Sequence, residues 1–254
     1  MSSSLVHLVI TGSVAVLTLD DPKRRNVLSS EMVAGIGHAF DRAESDPSVR
    51  CVVLTGAGKG FCAGAELDTL FRAAEGDFGP VTRVYDGFLR ALRSPLLTVA
   101  AVNGPAVGAG MNLALACDLR IAGPTAFFDT RFAQLRLHPG GGHMWLLQRA
   151  VGYQHAAAAA LLSTTWGAKE ARQVGLVREV TGPDLVQRAI ALASGMDGLE
   201  QDFAARMVAS FRASAAITRH DEALALETEA QEWSTSLPGF AAGVETIRRR
   251  VAGS

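Results

Sequence analysis

The feature that most constrains the fold of this chain is the regular alternation of short β-rich runs with glycine-rich loops and helical segments. Leu5 to Ile10 and Val14 to Leu19 flank a Thr-Gly-Ser turn and are typical of a hairpin. Val52 to Leu54 and Leu97 to Val102 are continuous apolar runs, and a glycine-rich loop follows each of them. This alternation predicts α/β layers with parallel strands, in which loops at the strand ends carry the chemistry.

The composition of the chain changes after Gly167, where successive predicted helices rich in Ala, Glu and Arg follow one another. Only Leu176 to Val180 interrupts them, as a predicted strand. We therefore predict two domains, an α/β core over residues 1–196 and a helical C-terminal domain over residues 197–254.

The composition argues against several classes of partner. The chain has 24 Lys and Arg against 25 Asp and Glu, so it lacks the basic field that attracts nucleic acid. The N-terminus lacks the basic and apolar regions of a signal peptide, and the most apolar stretches, Leu96 to Val102 and Ala156 to Leu162, are too short to span a bilayer. Three widely spaced cysteines in apolar segments are typical of buried thiols. We expect a cytoplasmic protein that binds neither nucleic acid nor membrane.

Neither glycine-rich loop carries a nucleotide-binding fingerprint. The P-loop pattern fails at the first loop, because Val53 stands where the first glycine belongs and Gly60 follows Lys59. The second loop, Gly104 to Gly110, has G-x-x-x-G-x-G spacing, which is not the dinucleotide fingerprint. We expect no nucleotide cofactor.

The segment from Gly60 to Gly64 has the outline of a nucleophile elbow, with Cys62 in the position of the serine. Acidic residues and histidines follow later in the chain, so a Cys62-dependent hydrolase is one hypothesis. The alternative is that Cys62 is a small buried hydrophobic residue beside a turn.

A pair of histidines, His138 and His143, encloses a Pro-Gly-Gly-Gly segment. Proline and three glycines exclude the helical arrangement of a zinc HExxH motif, and no third ligand lies nearby in the sequence. We expect no metal site, and we predict a tight turn leading into a helix from Met144 to Val151.

Two loops of small residues, Ala63 to Leu67 and Gly108 to Asn112, each lie between the end of a strand and the start of a helix. Helix starts offer unpaired backbone N–H groups and a positive dipole end, and small residues let a ligand approach the backbone closely. Two such loops can converge on one oxygen atom. The alternative for both is ordinary entry into a helix.

Several longer motifs occur in a fixed order along the chain. They are Asp21-Pro22, Asn26-Val27-Leu28, Phe61 to Leu67, Ala101 to Gly110, Leu113 to Ala122, and Ala168 to Ala171 through Gly175 to Val177. Together they resemble the enoyl-CoA hydratase/isomerase (crotonase) superfamily over about residues 5 to 250. The resemblance implies a spiral of β-β-α turns with a helical C-terminal oligomerisation domain, assembled as a homotrimer or a dimer of trimers. It also implies a role in fatty acid metabolism on acyl-CoA thioesters, with coenzyme A as part of the substrate and no separate cofactor.

The resemblance also implies which residues form the site. The backbone N–H groups of Ala65 and Ala109 match the two donors of an oxyanion hole, which holds negative charge on the thioester oxygen when an enolate forms. Further residues that match the substrate-binding positions are Ala63, Gly64, Glu66, Leu67, Asp68, Gly108, Asn112, Phe132 and Gly140.

The departures from the family pattern concern proton transfer. Hydratases of the family use two glutamates as base and acid, and those positions hold Asn112 and Phe132 here. Neither an amide nor a phenyl ring can exchange a proton in this role. A third position, an aspartate in the isomerases and dehalogenases of the family, holds Gly140.

A replacement acid or base has four candidates, of which His143 is preferred because it follows the turn near Gly140 and an imidazole can exchange protons near neutral pH. The others are His138, Asp129 and Glu66. Three hypotheses for function therefore stand: a lyase or isomerase of acyl-CoA thioesters with a non-standard acid/base, a catalytically silent acyl-CoA-binding protein, and the Cys62 hydrolase.

Overall fold

The computed structural model describes residues 5–252, which form nine strands and ten α-helices in a mixed α/β arrangement. The strands are β1 (Val6–Thr11), β2 (Val14–Leu19), β3 (Cys51–Gly56), β4 (Leu97–Val102), β5 (Pro105–Val107), β6 (Leu119–Ala122), β7 (Phe127–Asp129), β8 (Trp166–Gly167) and β9 (Glu179–Val180). The helices are α1 (Ser30–Ser45), α2 (Leu67–Ala74), α3 (Gly79–Arg93), α4 (Ala109–Leu115), α5 (His143–Leu162), α6 (Ala168–Gln173), α7 (Leu185–Ala193), α8 (Gln201–Ser214), α9 (His220–Thr235) and α10 (Pro238–Ala252).

The larger sheet has six strands in the order β1-β2-β3-β4-β6-β9. The predicted hairpin is confirmed: β1 and β2 are antiparallel, with Thr11 paired to Val14 across the turn. From β2 to β9 every neighbouring pair is parallel. Strands β3 and β4 are buried on both faces, as their continuous apolar runs predict.

A smaller sheet of β5, β7 and β8 produces the spiral. Strand β4 belongs to the large sheet and β5 to the small one, and β6 and β7 repeat this division one turn later. A bridge between Cys62 and Ala106 attaches the segment after β3 to the same small sheet. In each of these turns of the spiral, the chain therefore contributes to the larger sheet and then to the smaller sheet before a helix begins. Strand β5, which lies in the predicted loop from Gly104 to Gly110, and strand β8 are too short to show a period of two.

Residues at two helix boundaries determine where the helical conformation begins or breaks. The sequence predicts either Ser29 or Ser30 as the cap of α1, and the structure uses Ser29, whose Oγ accepts from the Met32 N–H at 3.1 Å. The helix predicted to end at Val151 is interrupted directly after that residue, because Gly152 has non-helical torsion angles. A second helical segment follows the kink, so that α5 extends to Leu162.

The C-terminal helices differ in how they contact the sheets. Helix α7 packs its buried alanines and Leu185 against the large sheet. Helix α8 is attached through Arg212, whose guanidinium binds both carboxylate oxygens of Asp118 and the carbonyl oxygens of Leu92 and Leu96. The predicted boundary at residue 196 stays a prediction. Among residues 5–252, no helix is both long enough and apolar enough to cross a membrane.

Candidate functional site

A cavity of about 470 Å³ opens where the two small-residue loops meet. Its walls are mostly apolar, and they come from the loops, from α2 and α3, and from the segment after β7. The lining residues are Arg25, Ala63, Gly64, Ala65, Leu67, Leu70, Phe78, Val81, Val84, Tyr85, Val107, Gly108, Ala109, Asn112, Thr130, Arg131, Phe132, Leu135, Leu137, His138 and Gly140.

Backbone packing holds the two loops together. Gly64 has φ of +93°, and a Cβ atom there would lie 2.7 Å from the Val107 carbonyl oxygen and 3.4 Å from the Ala109 nitrogen. Only glycine allows both the torsion angle and this close approach. The contact places the segment that contains Ala65 directly against the start of α4. This arrangement is required if the two loops are to converge on one oxygen atom.

The N–H groups of Ala65 and Ala109 are available to a ligand. Ala109 is the first residue of α4, where a helical N–H has no intrahelical acceptor, and Ala65 lies just before α2. Within residues 5–252, neither N–H donates a backbone hydrogen bond. Both residues line the cavity, so two residues of its wall have an N–H group without a backbone acceptor.

No carboxylate lines the cavity among the residues that the structure describes. Its titratable side chains are Arg25, Tyr85, Arg131 and His138. Burial raises the pKa of Tyr85, which therefore remains a protonated phenol. Sequence reasoning missed Tyr85 and the other residues of α3, because amphipathic spacing predicts an apolar face without showing which loops it will cover.

The acidic candidates are engaged elsewhere or face solvent. The side chain of Asp129 is buried and pairs with Arg131 at 2.6 Å, outside the cavity lining. Glu66 accepts from Arg24 Nη1 at 2.5 Å, and Asp68 is exposed on α2. Neither Glu66 nor Asp68 lines the cavity, unlike their neighbours Ala65 and Leu67.

The three positions where the family carries carboxylates do surround one part of the cavity. Asn112, Phe132 and Gly140 all line it, and Asn112 Nδ2 donates to the Gly140 carbonyl oxygen at 3.2 Å. A side chain at Gly140 would collide with Tyr85, whose hydroxyl oxygen would lie 2.2 Å from the added Cβ. Tyr85 therefore occupies the space that an aspartate at position 140 would need.

His143 lies behind this wall and does not line the cavity. It is 1% exposed, its Nδ1 lies 2.5 Å from Asn112 Oδ1, and its ring packs edge-on against Phe132 with centroids 5.0 Å apart. Within the described chain its Nε2 is buried without a hydrogen-bond partner. Burial lowers the pKa of His143 to about 4, so the ring is neutral at neutral pH. Its hydrogen bond to Asn112 and its ring contact with Phe132 connect it to the cavity wall.

This buried histidine predicts a pH-dependent stability. The unfolded chain takes up a proton at His143 below the ordinary pKa of 6.5, whereas the folded chain resists protonation until about 4. The stabilising contribution is therefore present above pH 6.5 and is lost as the pH falls towards 4. The free energy of unfolding of the wild type, relative to a His143→Gln variant, should fall by about 3 kcal/mol between about pH 7 and about pH 4.

Denaturant unfolding at fixed protein concentration measures this difference. His155→Gln is the matched control, because His155 is an exposed histidine on the same helix. A wild-type advantage that is the same at both pH values would contradict the assignment of a neutral buried ring.

The Cys62 hypothesis is contradicted by the structure. Cys62 is fully buried in the main core, is absent from the cavity lining, and has a pKa raised by burial to about 12. A thiol of this kind is neither ionised nor accessible to a substrate. The alternative of a small buried hydrophobic residue is confirmed, and Cys51 and Cys117 are buried in the same way.

Comparisons with known proteins find a family model, relatives and solved structures that cover most of the chain. Residues 9–246 match the family model described as enoyl-CoA hydratase/isomerase. The chain is 45% identical over 251 residues to the probable enoyl-CoA hydratase EchA14 of Mycobacterium tuberculosis, covering 96% of this chain and 98% of the relative. An enoyl-CoA hydratase structure from Bacillus anthracis superposes with a TM-score of 0.90 at 26% identity, covering 97% and 96% of the two chains. A structure from Thermobifida fusca YX in complex with acetoacetyl-CoA gives 0.81 at 28% identity, covering 92% and 95%.

Proposed function

The chain belongs to the enoyl-CoA hydratase/isomerase family and has its crotonase fold, and from this premise we propose that it binds an acyl-CoA thioester in the cavity beside Ala65 and Ala109. The observation that carries the proposal is the pair of unpaired N–H groups on one cavity wall. The thioester carbonyl oxygen accepts from both.

These two donors favour an enolate over the neutral thioester. When a carbanion forms beside the carbonyl, negative charge moves to the oxygen, and fixed N–H groups in a site shielded from water stabilise that charge. No side chain has to reorganise, because both donors belong to the backbone of packed loops. We infer that any reaction at this site passes through such an oxyanion.

The acyl chain occupies the apolar part of the cavity. Side chains of α2, α3 and the segment after β7 form this part, and they are Leu67, Leu70, Phe78, Val81, Val84, Leu135 and Leu137. Burying a hydrocarbon chain against them stabilises the complex by about 0.8 kcal/mol per CH₂ group. The coenzyme A portion lies towards Arg25, which lines the cavity, with the exposed Lys23 as a second cation for its phosphates. Arg24 is paired with Asp21 and Glu66.

Proton transfer in this proposal does not use the two glutamates of the family. Of the four predicted replacements, only His138 lines the cavity. Its Nδ1 lies 2.8 Å from the Pro139 carbonyl oxygen, which can only accept, so Nδ1 carries the hydrogen and Nε2 is free to take up a proton. We assign His138 the acid/base role if the thioester is transformed.

The absence of carboxylates from the lining favours a second candidate function, a catalytically silent acyl-CoA-binding protein. The two candidates share the same thioester site and differ only in turnover. Binding without any change in the acyl-CoA supports the silent protein.

We also propose that residues 197–254 mediate assembly into a homotrimer or a dimer of trimers. The last three helices leave several large apolar side chains exposed, namely Phe211, Leu224, Phe240, Val244 and Ile247. Exposed apolar groups of this size on neighbouring helices are typical of a surface covered by another chain.

Titration calorimetry with crotonyl-CoA tests the proposal. We expect binding, and a loss of about tenfold in affinity for Leu67→Asp, because a charge would replace an apolar contact with the acyl chain. Leu67 is 67% exposed, so the substitution leaves the core intact. Leu162→Asp is the matched control, since Leu162 is 78% exposed and lies outside the cavity. A failure to bind at millimolar crotonyl-CoA, or equal losses in the two variants, would overturn the placement.

A further inference from the structure

The amide of Asn112 is held in one orientation from both ends. Its Nδ2 donates to the Gly140 carbonyl oxygen at 3.2 Å, and its Oδ1 lies 2.5 Å from His143 Nδ1. A carbonyl oxygen can only accept, so the atom that faces Gly140 is the amide nitrogen. The oxygen must therefore face His143.

This orientation fixes the hydrogen on the histidine ring. Since Asn112 Oδ1 can only accept, His143 Nδ1 carries a hydrogen and donates it. The opposite nitrogen is buried without a partner among the described residues, and the ring remains neutral in its apolar surroundings. At neutral pH His143 therefore acts as a donor to Asn112 and does not change its protonation state.

The result is one unused hydrogen-bond donor on a residue that lines the cavity. The second hydrogen of Asn112 Nδ2 has no acceptor within residues 5–252. Asn112 lies three residues after Ala109 on α4, and both residues line the cavity, so its amide lies within one helical turn of a proposed oxyanion donor. No carboxylate among the described lining residues competes for this hydrogen.

We propose that His143 is a positioning residue that holds Asn112 as a fixed donor towards the acyl group, and that the site thereby selects 3-oxoacyl thioesters. The inference rests on the proposed function, because it needs the thioester oxygen at Ala65 and Ala109. A 3-oxo oxygen can only accept a hydrogen bond, and the free N–H of Asn112 can donate one. Such a substrate already carries oxygen at C3, so a reaction on it needs no addition of water there and no glutamate pair for hydration.

The test compares two ligands of equal carbon count, acetoacetyl-CoA and butyryl-CoA, by titration calorimetry. We expect the wild type to prefer acetoacetyl-CoA by about tenfold, since the second ligand leaves the Asn112 donor unpaired. Asn112→Ala should lose most of this preference, mainly through weaker binding of acetoacetyl-CoA.

Two histidine variants separate positioning from packing. His143→Phe keeps a ring but removes the donor to Asn112. It should therefore reduce the preference for acetoacetyl-CoA, and its affinity for butyryl-CoA should equal that of Asn112→Ala. His143→Asn restores an N–H near Nδ1 and should recover the preference. If His143→Phe does not fold, Asn112→Ala and His143→Asn still decide the question.

The outcomes are distinct from those of the proposed function. If neither ligand binds, the acyl-CoA site itself is wrong. If both bind the wild type within about twofold of each other, or if the preference persists in Asn112→Ala, the donor assignment is overturned and the acyl-CoA site stands.

Discussion

Hydration of crotonyl-CoA by this protein is expected to be slower by about 10⁴-fold or more than hydration by a family member that has both glutamates. Each general acid or base contributes about 10²- to 10⁴-fold, and neither is present at its usual position. Asn112 has no titratable proton to exchange, and Phe132 presents a phenyl ring to the cavity. We expect the proposed oxyanion donors alone to leave a small residual rate.

The assay follows loss of the enoyl group under identical conditions for this protein and for a two-glutamate hydratase. Calorimetry on the same preparation shows that the site binds ligand, which separates slow chemistry from a damaged protein. Replacing the two residues together, as Asn112→Glu with Phe132→Glu, should raise the rate. Wild-type turnover comparable to the reference hydratase would show that another group, such as His138 or Tyr85, replaces the glutamates in full.

Loss of one oxyanion donor is expected to have the next largest effect. Ala109→Pro removes the N–H at the first position of α4, where proline fits the helix without breaking it. The rate of a reaction that passes through the oxyanion should fall by about 10²- to 10³-fold. Exchange of the α-hydrogens of an acyl-CoA with deuterated water, followed by mass spectrometry, measures enolate formation directly.

A second helix supplies the matched control for this substitution. Ala168 is also the first residue of a helix, α6, it also follows a glycine, and it lies outside the cavity. Ala168→Pro should leave the exchange rate unchanged. Equal losses in both variants would indicate a general effect on folding, and an unchanged rate in Ala109→Pro would remove that N–H from the mechanism.

The parts of the fold that follow from local sequence could be predicted well. The hairpin of β1 and β2, the full extent of β4 and the cap at Ser29 depend on neighbours in the chain. The family motifs then located the two loops whose backbones meet at Gly64. Small residues at helix starts allow this close packing, but by themselves they are equally typical of ordinary entry into a helix.

The environment of individual side chains could not be predicted in the same way. Position 143 follows a turn beside the site, yet its histidine does not line the cavity and is buried against Phe132. The apolar wall contributed by α3 depends on packing between distant segments, as does the pairing of Asp129 with Arg131. Spacing places a residue near a site, whereas burial and partners decide what its side chain can do there.

The attachment of α8 through Arg212 has a consequence for the order in which the chain acquires structure. All the residues that line the cavity precede position 141 and are synthesised first. The carbonyl oxygens of Leu92 and Leu96 receive their donor from a residue 116 to 120 positions later. Contacts of such long sequence separation form slowly, because loop closure costs entropy before the contact can compensate for it. A nascent chain therefore contains all the described residues that line the cavity well before Arg212 is synthesised. Only then can Arg212 donate to the carbonyl oxygens that precede β4.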